Sequence, residues 1–384
     1  MNIGKRAEHD VIRTSILKAD WNFWGSDTGY LTHSAHRYSG KFIPQIARQA
    51  IDMLTRPGDL IVDPYCGSGT TLVEAAMQGR RALGVDMSPL AVLISTVKVT
   101  PLSEDLLRAF VEKMQRAVQP LGAEDLFGQP ASPRVEADPR LHDEWFTKWF
   151  QPAVLRDLIA IHQWILDEPD ARLQRVGLVA FSDVLRRASN AHQGYPNVMF
   201  DRRGLERPRP GRQFLRTLKQ LATAIMTLPS EVDWGAVKVQ EGDARQLQLS
   251  DAVAQAVITH PPYVGSIPYA EYGALSLHWL GHDHKALDKR LTGGQRQSRY
   301  VLERFKSDYA AMISEAYRVT RLGGYFFALV GDPTIKGAVV DLGRMTVEHA
   351  MVAGYEEVAV TTRSAENRRA NKMGDETLLT FRKS

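Results

Sequence analysis

The stretch LIVDPYCGSGTTLVEAAMQGRRALGVD (60–86) fixes the fold. Leu60-Ile61-Val62 is a short apolar run closed by Asp63-Pro64, and Ala82-Leu83-Gly84-Val85 is a second, closed by Asp86. Runs of this kind are strands buried on both faces of a parallel sheet. Between them residues 70–78 have helical spacing, which makes the stretch a strand–helix–strand unit. The turn Gly67-Ser68-Gly69 lets the backbone approach a ligand closely, in front of an electropositive helix N-terminus. Several nucleotide cofactors use such turns. A phosphate-cradling loop is disfavoured because no Gly-Lys-Ser/Thr follows, and a dinucleotide site because Leu72 stands where G-x-G-x-x-G has its third glycine. Asp63 would repel a pyrophosphate but suits the ammonium of an amino-acid-bearing cofactor, and Asp86 is placed to accept from ribose hydroxyls.

Outward from this unit the alternation continues. Ser88 caps a helix to about residue 97. Val237-Lys238-Val239 and Ala256-Val257-Ile258-Thr259 read as strands three and four. A helix over 301–321 stops at Leu322-Gly323-Gly324, and a strand over 325–330, a helix near 339–353 and strands over 356–361 and 377–381 complete the chain. The expected fold class is α/β, a doubly wound, Rossmann-like sheet of seven strands with a large helical insertion between strands two and three. The insertion is mostly amphipathic helix: LLRAFVEKMQRAV, EWFTKWFQPAVLRDLIAIHQWIL, RLQRVGLVAFSDVLRRASN and RQFLRTLKQLATAIM. The expected organisation is an N-terminal extension (1–35), a catalytic domain (36–100 and 235–384) and the insertion (101–234).

With 384 residues, 44% of them hydrophobic and 24% charged, the chain can bury a full core and carry a second module. It has no apolar run of about 18 residues to cross a membrane, and MNIGKRAEHDVIRTS lacks a secretion signal, so a cytoplasmic protein is expected. A single cysteine, Cys66, excludes an intrachain disulfide and a Cys-rich zinc site, and no metal is expected. Net charge is only +4. Its distribution says more, because Arg186, Arg187, Arg202, Arg203, Arg207, Arg209, Arg212, Arg216 and Lys219 face only Asp201 and Glu206 in the same segment. That segment, interleaved with Tyr195, Phe200 and Phe214, is a candidate phosphate-tracking surface, against the alternative of a solvated stretch.

VITHPPYVG (257–265) closes strand four. Its two prolines fix φ and remove two backbone donors, leaving carbonyls aimed into the crevice where a doubly wound sheet binds ligands. A planar base fits there, stacked on Tyr263, with a carbonyl and the residue before the prolines accepting from its exocyclic amine. Asp243, in EGDARQL, suits an adenine amine.

These motifs together resemble the amino-methyltransferases of DNA, which modify cytosine at its 4-amino or adenine at its 6-amino group. DPYCGSGTT looks like their cofactor motif, THPPY like their (D/N/S)PPY tetrad, and HRYSGKFIPQIARQAI (36–51) like the element that closes over the methionine end of the cofactor. The resemblance implies the S-adenosylmethionine-dependent methyltransferase fold over roughly 36–100 and 235–384. It implies that Lys41 and Phe42, the turn residues Asp63, Tyr65, Cys66, Gly67, Ser68, Gly69 and Thr70, and then Asp86, Met87, Asp243 and Ala244 hold S-adenosylmethionine. His260, Pro261, Pro262 and Tyr263 would form the catalytic tetrad, on a base flipped out of double-stranded DNA. The insertion would supply target recognition, and a cognate restriction enzyme is an optional partner.

The tetrad departs from the family at its first position, where His260 replaces Asp, Asn or Ser. A neutral imidazole still accepts through one nitrogen. Thr259 and the similarity of THPPYVGSIPY to serine-type tetrads of cytosine enzymes favour the cytosine 4-amino group. The adenine 6-amino group, a base in structured RNA, and a catalytically inactive nucleic-acid-binding homologue are the alternatives.

Overall fold

A computed structural model of the protein describes residues 3–38, 40–121, 133–194, 197–265, 267–335, 338–364 and 375–384, the first six by backbone alone. Tyr195, and residues 128–132 of an irregular connector, lie outside them. Apolar runs that cannot be solvated pair side by side as β1 (Leu60–Asp63), β2 (Arg81–Asp86), β3 (Val237–Glu241), β4 (Ala254–Thr259) and β5 (Thr320–Gly331). A short hairpin, β6 (Thr334–Ile335) and β7 (Ala338–Val339), leads to β8 (Tyr355–Arg363) and β9 (Glu376–Lys383). The seven-stranded sheet runs β3-β2-β1-β4-β5-β9-β8, parallel except for β9, which is antiparallel to both neighbours.

Period-two alternation gives the sheet two cores. Ile61, Ala256, Ile258 and Phe327 face one apolar cluster, while their chain neighbours Val62, Val257 and Phe326 face the other. The helices of the insertion pack into the first cluster through residues such as Leu158, Val179 and Leu218. Ile16 and Trp21 of the N-terminal segment join the same cluster, Trp21 with its ring 5.8 Å from that of Phe327. Among the described residues no helix is long and apolar enough to cross a membrane.

Three local departures have physical causes. EWFTKWFQPAVLRDLIAIHQWIL is two helices, Glu144–Trp149 and Pro152–Leu166, because Pro152 keeps Gln151 out of the helical region and itself starts the second. The helix beginning at Val301 ends at Val319, and β5 starts at Thr320 rather than after the glycines. Gly324 lies within it because a Cβ there would come 2.7 Å from the Gln255 carbonyl. Ser88 holds the N-cap position of Pro89–Lys98 but its side chain makes no capping bond; its N–H donates to Asp86 instead.

Chain order reverses at β1 and β4, which pair directly through Ile61 with Ala256 and Val62 with Val257. The turns after both strands therefore open on one side of the sheet, at the crevice between them.

Candidate active site

A cleft lies at these strand ends. Its wall comes from the β1 turn (Pro64, Tyr65, Gly67), the end of β2 (Asp86, Met87, Ser88), the turn after β3 (Gly242, Asp243, Ala244) and the turn after β4 (His260, Pro262). Tyr38 and Gly40 close it from the segment before β1, and Tyr269, Leu287, Leu291 and Thr292 from the segment after the double proline. The cofactor and tetrad motifs thus share one cavity.

The β1 turn is built for close approach. Gly67 has φ of +50°, and a Cβ on it would stand 3.2 Å from the Tyr38 ring. Asp86 braces the turn from β2: one carboxylate oxygen accepts from Gly67 N–H at 2.9 Å and the other from Ser88 N–H at 2.8 Å. Burial pushes its pKa up to about 6, against the lowering effect of those N–H bonds. Asp63 sits behind the cleft wall. It accepts from Thr259 Oγ1 at 2.8 Å and Tyr65 N–H at 3.2 Å, linking the β1 turn to the residue before the tetrad, and burial raises its pKa to about 6 as well.

Asp243 does line the cleft, held by Arg245 through both oxygens at 2.8 and 2.7 Å. Burial works to raise its pKa, but the Arg245 bonds outweigh it and the net shift is downward. Arg245 also donates to Asp308 at 2.7 Å. Tyr65 caps the far side, its hydroxyl donating to Thr292 at 3.0 Å.

The remaining expected cofactor residues stand back from the wall. Cys66 is buried, its N–H bonded to Val85 O at 3.0 Å. Ser68 is buried with no partner for its hydroxyl, while Gly69 and Thr70 open the helix Thr70–Met77. Lys41 donates to the His33 carbonyl at 2.8 Å, and Phe42 sets its ring edge-on to His260 at 5.2 Å.

In the tetrad, His260 and Pro262 reach the cleft. Tyr263 does not present its face there. It is 3% exposed, its ring edge-on to His260, and its hydroxyl donates inward to Glu376 at 2.8 Å while lying 2.6 Å from His260 Nε2. Glu376 in turn pairs with Arg363. Sequence reasoning missed Tyr38, Arg245, Arg363 and Glu376. Tyr38 and Arg245 lie inside the motifs HRYSGKFIPQIARQAI and EGDARQL, whereas Glu376 is signalled only by a carboxylate opening the apolar strand ETLLTFRK.

The basic segment divides. Arg207 is buried against Asp201, which also holds the exposed Arg203. Arg209 pairs with Asp157, Arg186 donates to the carbonyls of His192 and Asn197, and Arg187 donates to Gln213. Arg202, Arg212, Arg216 and Lys219 are exposed. Phe214 is in the core, but Phe200 is exposed beside Trp149, with Lys148 5.5 Å above the Trp149 ring. Trp279 is an interior pillar joining the segment after the tetrad to the insertion, packed by Phe146, Phe150 and Phe181.

A family model described as DNA methylase, covering N6 and N4 enzymes, matches residues 12–96. The Type II methyltransferase M.MvaI of Kocuria varians is 22% identical, over 92% of this chain and 90% of its own length. M.BsoBI of Geobacillus stearothermophilus, another Type II methyltransferase, is 26% identical over 75% of this chain and 60% of its own. The solved structure of a SAM-dependent methyltransferase from Methanosarcina mazei aligns at a TM-score of 0.35 and 11% identity, over 87% of this chain and 96% of that one.

Proposed function

We propose that this cleft transfers a methyl group from S-adenosylmethionine to the 4-amino group of a cytosine flipped out of double-stranded DNA, a reading supported by the chain's similarity to the DNA methylase model and to Type II methyltransferases. The observation that carries the reading is the shared cavity of His260-Pro262 and Asp86-Asp243 at the β1/β4 reversal. The residues fit the cofactor: a glycine turn against Tyr38, a free buried hydroxyl on Ser68, and two carboxylates in the wall. Asp86 would accept from ribose hydroxyls and Asp243 from the adenine amine, with Tyr38 and Tyr65 as apolar walls. When bound, S-adenosylmethionine supplies a methyl group made electrophilic by its sulfonium.

The protein's own part is to hold and polarise the amine. Pro261 and Pro262 cannot offer N–H groups, so that turn presents acceptors only, and His260 adds an imidazole nitrogen. Hydrogen bonds from the amine to these acceptors draw its lone pair out of conjugation. Cytosine is favoured by Thr259 and by the likeness of THPPYVGSIPY to serine-type cytosine tetrads. Tyr269 lines the cleft and would take the stacking role in place of the buried Tyr263. Arg202, Arg212, Arg216 and Lys219 would meet phosphates, with recognition by the insertion.

Mass spectrometry of nucleosides from DNA of cells with and without the protein tests this. Added N4-methylcytosine is the expected result. N6-methyladenine would move the assignment to the other base, and no methylated base would refute the activity.

A further inference from the structure

We propose that Tyr263 and Glu376 lock His260 as its Nε2–H tautomer, leaving Nδ1 to take the proton that the target amine sheds, so that Glu376 is a positioning residue for methyl transfer. This rests on the function proposed above. Donor accounting along the buried chain leads there. Glu376 is paired with Arg363 and, as a carboxylate, only accepts. The Tyr263 hydroxyl therefore spends its one proton on Glu376, and its oxygen can only accept from His260 Nε2 at 2.6 Å. Neutral imidazole has a single N–H, so Nδ1 holds a lone pair.

Nδ1 is buried and makes no hydrogen bond of full geometry, on a ring that forms part of the cleft wall and lies against the Gly40 backbone. Phe42 and Tyr263 both pack edge-on to the ring, at 5.2 and 5.0 Å, which opposes a turn that would exchange the nitrogens. Arg363 anchors the far end, donating to the Trp21 carbonyl at 2.9 Å.

The step balances. The amine lone pair forms the N–C bond while the C–S bond breaks toward sulfur, leaving a neutral thioether and one proton too many on nitrogen. That proton passes to Nδ1. The resulting imidazolium keeps its Nε2–H bond to Tyr263 and returns the proton to solvent after the base leaves. Burial is the main influence on His260 and lowers its pKa; Glu376 raises it, the Gly40 backbone raises it, and Arg363 lowers it. Phe42 and Tyr263, the other groups against the ring, carry no charge.

Nitrogen-15 NMR of His260 reads the tautomer directly in the free protein, and single-turnover methylation across pH, at saturating cofactor and DNA, reads its use. Wild type should show Nε2–H. Tyr263→Phe should give mixed tautomers and a transfer step slower by about tenfold or more. Glu376→Gln should move the acid limb of the transfer step to lower pH, because the charge that raises the His260 pKa is gone and Arg363 is left unopposed. An Nδ1–H tautomer in an active wild type overturns the inference alone. So do variants that unfold earlier on heating yet keep tautomer and acid limb, since Glu376 would then merely tie β9 to β8. A wild type that methylates no base overturns the methyltransferase reading and the proton's destination with it.

Discussion

Asp86→Asn separates the two things this carboxylate does. At neutral pH the folded protein holds Asp86 ionised although burial has raised its pKa to about 6, roughly two units above an unfolded aspartate. A raised carboxyl pKa means the folded state binds a proton more readily than the unfolded one, so the charge costs about 3 kcal/mol of stability at pH 7. That cost is recovered as pH falls through about 6 toward about 4. The asparagine variant never carries it. Against that gain, its amide must turn an NH2 toward either Gly67 N–H or Ser88 N–H, which a carboxylate satisfied together, at about 1–3 kcal/mol. The terms nearly cancel, and the cofactor-free variant should melt close to wild type at pH 7. Binding has no such compensation. Losing charge-assisted bonds to cofactor hydroxyls costs about 1.5–3 kcal/mol, or about 10- to 150-fold in Kd. Calorimetric titration of S-adenosylmethionine and thermal unfolding at pH 7 and 5 measure both. Wild-type affinity in the variant would remove Asp86 from the site. A cofactor-free variant that stays level with wild type as pH falls from 7 to 5 would refute the burial argument.

The insertion and the core offer further tests. Lys98 is buried with no partner for its ammonium, and burial lowers its pKa to about 7, so between there and about 10.4 the unfolded chain holds a proton the folded one lacks. Stability should rise with pH across that window by about 1.4 kcal/mol per unit more in wild type than in Lys98→Met, read from urea unfolding. Arg207→Ala should lower the melting temperature while the salt dependence of DNA binding stays put, because Arg207 is spent on Asp201. Neutralising Arg202, Arg212, Arg216 and Lys219 together should flatten the plot of log K against log salt by about 0.9 for each phosphate no longer neutralised, with cofactor affinity unchanged. An unaltered slope would assign those four to solvated surface.

What the sequence made legible was local or periodic. Apolar runs ended by Asp63 and Asp86 mark β1 and β2, the glycine turn marks one wall of the cleft, and the double proline marks another, because each depends on neighbours within a few residues. Pairing of charges is different. Nine basic residues in one segment read as a phosphate surface, yet Arg207 and Arg209 are committed to Asp201 and Asp157, the second 52 positions away. Nothing in a linear pattern says which arginine folds back on a carboxylate.

The same holds for the tetrad. Residue type alone makes His260 an acceptor, but which of its nitrogens accepts depends on Glu376, 113 residues beyond Tyr263. Glu376 opens a strand, where a charge ordinarily marks a solvated end. It is buried because β8 and β9 pair antiparallel with Arg363 directly opposite. Slipping that register by one residue would turn Glu376 to the opposite face of the sheet, away from Tyr263, and take the proton relay with it. On the proposed mechanism the tautomer of His260 therefore rests on a strand pairing at the edge of the sheet, and a slipped register would leave the β1 turn and the double proline in place but His260 free to take either tautomer.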